Sequence, residues 1–261
     1  MKLKNLMVAL ICILLLRLSF ETGRFVEKNG GGLIAPQVHA IAYPPDYPTV
    51  QDEDGASAFA GSLDHPGSDY YTVRDFHGLE SGGTLHMLTG FDTYQQTTEY
   101  TCGTASALMV LHWFGDDGWD ELQLAELMET DTGKGTSVEG LADFFTSRGW
   151  NVDVHADTAP RFETEEELEA YLLEKLDAGI PVMVDWVDWA GHWQVVIGLD
   201  SCGTDSPYDD VLILADPYDI TDHYQDGYYT YPLGRFFSMW REGPCAQKDV
   251  PYEQPFVCAW P

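Results

Sequence analysis

Gln96-Thr-Thr-Glu-Tyr-Thr-Cys102-Gly-Thr-Ala-Ser-Ala-Leu-Met-Val-Leu111 passes from polar chain into an apolar helix, and a single cysteine stands at the junction. The unpaired N–H groups and the positive dipole end of a helix N-terminus stabilise negative charge, so the position suits a thiol nucleophile. Gly103, Thr104, Ala105 and Ser106 are small enough to leave room for a substrate carbonyl. The same pattern fits a small buried hydrophobe that opens a core helix. The residues downstream have to separate the two readings.

Two short β-branched runs, Pro181–Val187 and His192–Gly198, read as buried strands, with His192 at the start of the second just after Ala190 and Gly191. A third run, Val211–Asp216, ends in an acid followed by Pro217, which stops further pairing. Neighbouring strands would bring Asp216 beside His192. In that arrangement Cys102 attacks a carbonyl, His192 takes the thiol proton and returns it to the leaving amine, and Asp216 fixes the imidazole tautomer. Asp185, Asp188 and Asp200 compete as orienting acids. Asp216 leads because it ends the strand expected to pair next to His192.

Helices are predicted over Trp119–Glu129, Thr136–Arg148 and Thr164–Ala178, the last two opening on Thr-Ser-Val-Glu and Thr-Glu-Glu-Glu capping patterns. Strands are predicted at 151–155, 181–187, 192–200 and 210–216, joined after the helices by short turns. The fold class is therefore α+β, with the cysteine on a helical half, the histidine and acid on an antiparallel sheet, and a cleft between. His112, ten positions along the Cys102 helix, reads as an ordinary helix residue. Trp186, Trp189 and Trp193 either wall the cleft or fill the core, and Tyr228–Tyr231 either covers the cleft or forms an edge strand.

Gln96, Cys102-Gly103, Gly191-His192-Trp193 and Asp216-Pro217, in this order, resemble the motifs of the C39 and C39-like papain-like cysteine peptidases. The resemblance spans roughly Leu88 to Trp240. It implies hydrolysis of peptide bonds by a Cys102–His192–Asp216 triad. It also implies that Gln96, six positions before the cysteine, donates its side-chain amide to the oxyanion beside the backbone N–H of Cys102. Gln95 is the alternative if the register differs by one. Family transporters that trim double-glycine leaders carry membrane spans and an ATPase; no Walker-type Gly-rich run ending in Lys-Ser/Thr occurs here, so leader trimming coupled to export is not expected. Two other outcomes of the same fold stay open: a silent papain-like module that recognises a wall peptide or partner protein, and a thiol acyltransferase.

With 43 Asp and Glu against 13 Lys and Arg, the 261-residue chain has a net charge of −30. Residues 1–40 hold five basic and two acidic residues, so the remainder carries −33. Such a body repels nucleic acid and reads as a solvated surface suited to salt or a cationic wall polymer; of the peptide or protein substrates that the resemblance implies, cationic ones should arrive faster in its long-range field. No metal or cofactor is expected: there is no Cys-x-x-Cys or His-x-x-x-His, and Asp216, Asp219, Asp222 and Asp226 share one loop without the order of a calcium-binding EF-hand.

Lys2 and Lys4 followed by the apolar run Leu6–Leu16 read as an export signal over residues 1–40, cleaved near Val38–Ala40 or in the closer Ser19–Gly23 stretch, or kept as a membrane anchor. Residues 41–67, rich in Pro, Asp, Ser and Tyr, read as a linker or mature leader, and 68–261 as the peptidase domain. The protein is thus expected in the cell envelope or outside the cell; its oligomeric state is not readable. Besides Cys12 and Cys102 there are Cys202, Cys245 and Cys258. A Cys245–Cys258 disulfide stapling a C-terminal tail is expected, with Cys202 free or competing.

Overall fold

The computed structural model describes residues 37–65, 70, 73–188, 190–243 and 251–261. The export segment up to residue 36, Trp189 and Cys245 lie outside them.

Strand β1 (Leu85–Met87) is followed by helices α1 (Cys102–Trp113), α2 (Glu121–Leu127) and α3 (Val138–Ser147). Then come β2 (Asn151–Asp157), α4 (Glu165–Asp177), β3 (Val182–Val187), β4 (Gly191–Asp200), β5 (Val211–Ala215), β6 (Tyr228–Pro232), α5 (Leu233–Met239) and β7 (Glu253–Trp260). The strands form one antiparallel sheet in the order β2-β7-β3-β4-β5-β6, with β1 paired to the far end of β4. The architecture is α+β, as expected.

Local chemistry sets the helix boundaries. Asp120, Ser137 and Thr164 each take an N-cap position, their side chains accepting from the N–H groups of Gln123, Gly140 and Glu167. Helix α1 differs: every residue from Cys102 to Leu111 is buried, which makes it the central helix. It packs against β4, while α3 packs on β2 and β7 and α4 on β1 and β4. Strand β4 is buried from His192 to Leu199 without alternation, because both of its faces are covered. Gly103 makes the contact of α1 with its surroundings close, since a Cβ there would stand 2.6 Å from the Thr136 Cβ.

Two expectations change. The C-terminal tail is strand β7, which lies between β2 and β3, so the last residues of the chain complete the middle of the sheet. Cys258 is a free thiol with no exposed surface, its Sγ 3.7 Å from the carbonyl of Pro181, and the Cys245–Cys258 disulfide is not formed. The expected linker, over its described part, lies against the domain. Ile41 donates to the Thr93 carbonyl, Ser57 to the Gln96 carbonyl, and Ala56 is fully buried. Tyr228–Tyr231 forms an edge strand, pairing with β5.

Candidate active site

Helix α1 starts at Cys102, and the loop before it is held by a buried acid that the sequence analysis missed. Glu121, with no exposed surface, accepts from Thr97 N (2.9 Å), Thr97 Oγ1 (2.6 Å), Tyr94 Oη (3.1 Å) and Thr101 Oγ1. Burial pushes its carboxyl upward, and the hydrogen bonds from Thr101 and Thr97 oppose that shift. The donors fix residues 97–101 and with them the position of Cys102. In the sequence Glu121 reads as an ordinary acid in the first turn of a helix.

The sheet supplies the partners. His192 pairs with Trp186 across β3 and β4, and Asp216 follows the last residue of β5. His192 Nε2 lies 2.8 Å from Asp216 Oδ1, both residues being buried. Burial alone would push the imidazole down. The Asp216 charge and hydrogen bond, with a lesser contribution from nearby Cys102, outweigh it and hold the imidazole well above its ordinary value. Because Asp216 occupies Nε2, Nδ1 is the ring nitrogen left for the sulfur. Asp216 is fixed in turn: the Tyr218 N–H donates to Oδ1 (2.7 Å) and Gln194 Nε2 to Oδ2 (2.7 Å). Gln194 is itself held by the Trp186 indole N–H, 2.7 Å from its Oε1. Gln194 is a positioning residue hidden in an apolar strand.

Gln96 is almost fully buried, and its amide donates to the carbonyls of Thr98 (2.7 Å) and Glu99 (3.1 Å) in its own loop. Gln95 donates to the Asp216 carbonyl at 2.9 Å. Of the tryptophans, Trp186 is core and Trp193 lines the cavity beside Cys102, its indole N–H donating to the Thr136 carbonyl. His112 is engaged by Asp92 and Asp117 at the surface, away from the cleft.

A cavity of about 190 Å³ opens beside Cys102, with Glu99, Asp185 and Glu242 against Lys134 among its walls. One wall is two bare backbones in contact: a Cβ on Gly243 would lie 2.1 Å from the Gly191 Cα. Asp185 is 9% exposed, and among the described residues no side chain donates to it. Burial and then the Glu242 charge push its carboxyl up to about 7, with the His192 charge and backbone N–H opposing. A carboxyl raised above its unfolded value favours the fold at low pH, and that advantage is lost as pH rises through the folded value. The gap between 3.8 and about 7 corresponds to roughly 4 kcal/mol. Asp185→Asn is therefore expected to match the wild type in urea unfolding near pH 4 and to exceed it by roughly that amount above pH 8.

Two groups gather side chains able to hold a cation: His39, His77 and Asp92, and Asp219, Asp222 and Asp226. Neither is apparent as a spacing in the sequence.

A thiol at the start of a helix and a His–Asp pair on the sheet, on an α+β scaffold, belong to the class of papain-like cysteine peptidase folds. The chain belongs to the Peptidase_C39 like family, whose model matches residues 88–245. Among solved structures it is similar to the peptidase domain of Streptococcus ComA, a bi-functional ABC transporter involved in a quorum sensing pathway. That similarity is 18% identity over 66% of this chain and 98% of that one, with a TM-score of 0.43. It is also similar to a double glycine motif protease from an AMS/PCAT transporter in complex with the leader peptide, at 15% identity over 64% and 87% of the two chains and a TM-score of 0.39. No curated protein sequence matches the chain.

Proposed function

We propose that the protein is an exported cysteine peptidase that hydrolyses peptide bonds through Cys102, His192 and Asp216. The observation that carries the reading is the buried His192–Asp216 pair joined at Nε2, with Cys102 near enough to help hold the imidazole above its ordinary value. In the proposed reaction Cys102 Sγ attacks the carbonyl carbon while His192 holds the thiol proton. The oxyanion forms against the N–H groups of the α1 N-terminus, with the Gln96 amide as second donor. His192 gives its proton to the leaving amine. Water then attacks the thioester, His192 taking its proton, and the acid product leaves with Cys102 restored. Export is supported by Lys2, Lys4 and the apolar run Leu6–Leu16. Among the described residues no helix is long and apolar enough to cross a membrane.

The acidic walls of the cavity favour a substrate with a basic side chain next to the cut bond. Peptide-based thiol-reactive probes, matched except for lysine or norleucine at the residue nearest the electrophile, test both parts. The expected result is labelling of Cys102, about tenfold faster with lysine and still faster at 1 M salt, where the screening length is only about 3 Å. Equal rates would remove the basic preference alone. A preference erased by salt would assign it to the −33 body rather than the pocket. Folded protein that neither probe labels would remove the peptidase reading and leave a binding module.

A further inference from the structure

The loop from Asp216 to Gly227, between β5 and β6, buries acids that the proposed reaction does not use. Asp219 and Asp226 are buried and Asp222 is half-buried, and one carboxylate oxygen from each lies within 4.8 Å of the others. Each residue has one oxygen tied to the backbone. Asp219 Oδ2 accepts from Gly227 N (2.9 Å), Asp222 Oδ1 from Tyr224 N (3.0 Å) and Asp226 Oδ1 from Tyr228 N (3.0 Å). The carboxylates are thus oriented, with one oxygen of each drawn into the same cluster. Asp219 Oδ1 has no hydrogen-bond partner, although the residue is only 1% exposed.

An unpaired carboxylate oxygen away from water costs several kcal/mol, and two like charges beside it add to the cost. No lysine, arginine or histidine forms an ion pair with any of the three among the described residues, and the charges of Asp64 and Asp216 face the same cluster. The local chemistry is all hard oxygen and all negative. Calcium–oxygen bonds of about 2.3–2.6 Å span up to about 5 Å between ligand atoms, which fits the observed spread.

We propose that Asp219, Asp222 and Asp226 form a calcium site that braces the loop carrying Asp216. The brace is short: the Gly227 N–H donates to Asp219 and the Gly227 carbonyl accepts from Asp216 N at 2.8 Å. The segment before the domain joins it, since Asp64 Oδ1 accepts from Gln225 N at 2.8 Å and Gln225 Nε2 donates to the Ala56 carbonyl at 2.9 Å. A cation held there links that segment, the loop and the residue that orients His192.

The test uses the purified full chain, stripped with a chelator and titrated with calcium chloride by calorimetry and thermal melting. One calcium ion per chain and a melting temperature raised by several degrees are expected. Terbium in the same site takes energy from nearby Tyr228, and its emission falls as calcium displaces it. Asp219→Asn should weaken calcium binding at least tenfold while its calcium-free form melts no lower than the wild type, because the amide relieves repulsion. Asp226→Asn gives the same readout should the first variant not fold. A wild type whose melting and calorimetry do not respond to millimolar calcium overturns the proposal. So does undiminished binding in the variants.

Discussion

Cys102→Ala is expected to abolish peptide hydrolysis, with at least a ~10⁴-fold loss of kcat, and His192→Ala to come close to it. Residues that act as one unit lose nearly everything when any member is removed, so the double variant should be scarcely worse than either single one. The His192–Asp216 bond at Nε2 and the proposed proton exchange between His192 and Cys102 underlie the expectation, since removing either partner leaves the imidazole with one side of its function. Asp216→Asn is expected to cost less than Cys102→Ala: the asparagine oxygen can still accept from Nε2, but the charge that raises the imidazole is gone. Turnover of a matched peptide by purified variants of equal melting temperature is the measurement. Near-normal hydrolysis by Cys102→Ala would falsify the enzyme reading, and equal loss in Asp216→Asn and Asp216→Ala would assign Asp216 to charge alone.

The parts of the fold that were legible are those with local causes. Asp120, Ser137 and Thr164 cap helices within two residues of where the sequence places their starts, because a cap is a contact between neighbours. Strands β3, β4 and β5 announce themselves as continuous β-branched runs, and His192 and Asp216 sit at the ends where pairing stops. Strand β7 was not legible. Pro255 breaks its pattern, and its place between β2 and β3 is decided by partners about 70 to 110 residues away in the chain. Glu121 and Gln194 were missed for a related reason: each looks ordinary on its own element and gains its role from a residue on another. The acids at 219, 222 and 226 match no metal-loop order. Only the folded loop, pinned through Gly227 and Tyr228, turns their spacing into convergence.

Gln96→Ala is expected to lower kcat/KM about a hundredfold while leaving Cys102 open to a small alkylating agent, the loss usual for one oxyanion donor. The geometry makes this a demanding test. Both N–H groups of the Gln96 amide are engaged, at 2.7 Å to Thr98 and 3.1 Å to Glu99, so donating to an oxyanion means releasing one of them. The longer bond, to the Glu99 carbonyl, is the one to yield, and Glu99 itself lines the cavity beside Cys102. Charge on the oxyanion makes that exchange favourable only as the tetrahedral state forms, because a bond to an ionised acceptor is roughly twice as strong as one to a neutral carbonyl. The loss should therefore fall on kcat and leave KM nearly unchanged. Gln95→Ala separates donor from scaffold, since its amide holds the Asp216 carbonyl at 2.9 Å and its removal should loosen the His192 partner instead. A larger loss in Gln95→Ala than in Gln96→Ala would move the donor one residue earlier. An unchanged kcat in Gln96→Ala would leave the oxyanion to the backbone N–H groups of α1 and make Gln96 a brace for the loop that presents the thiol.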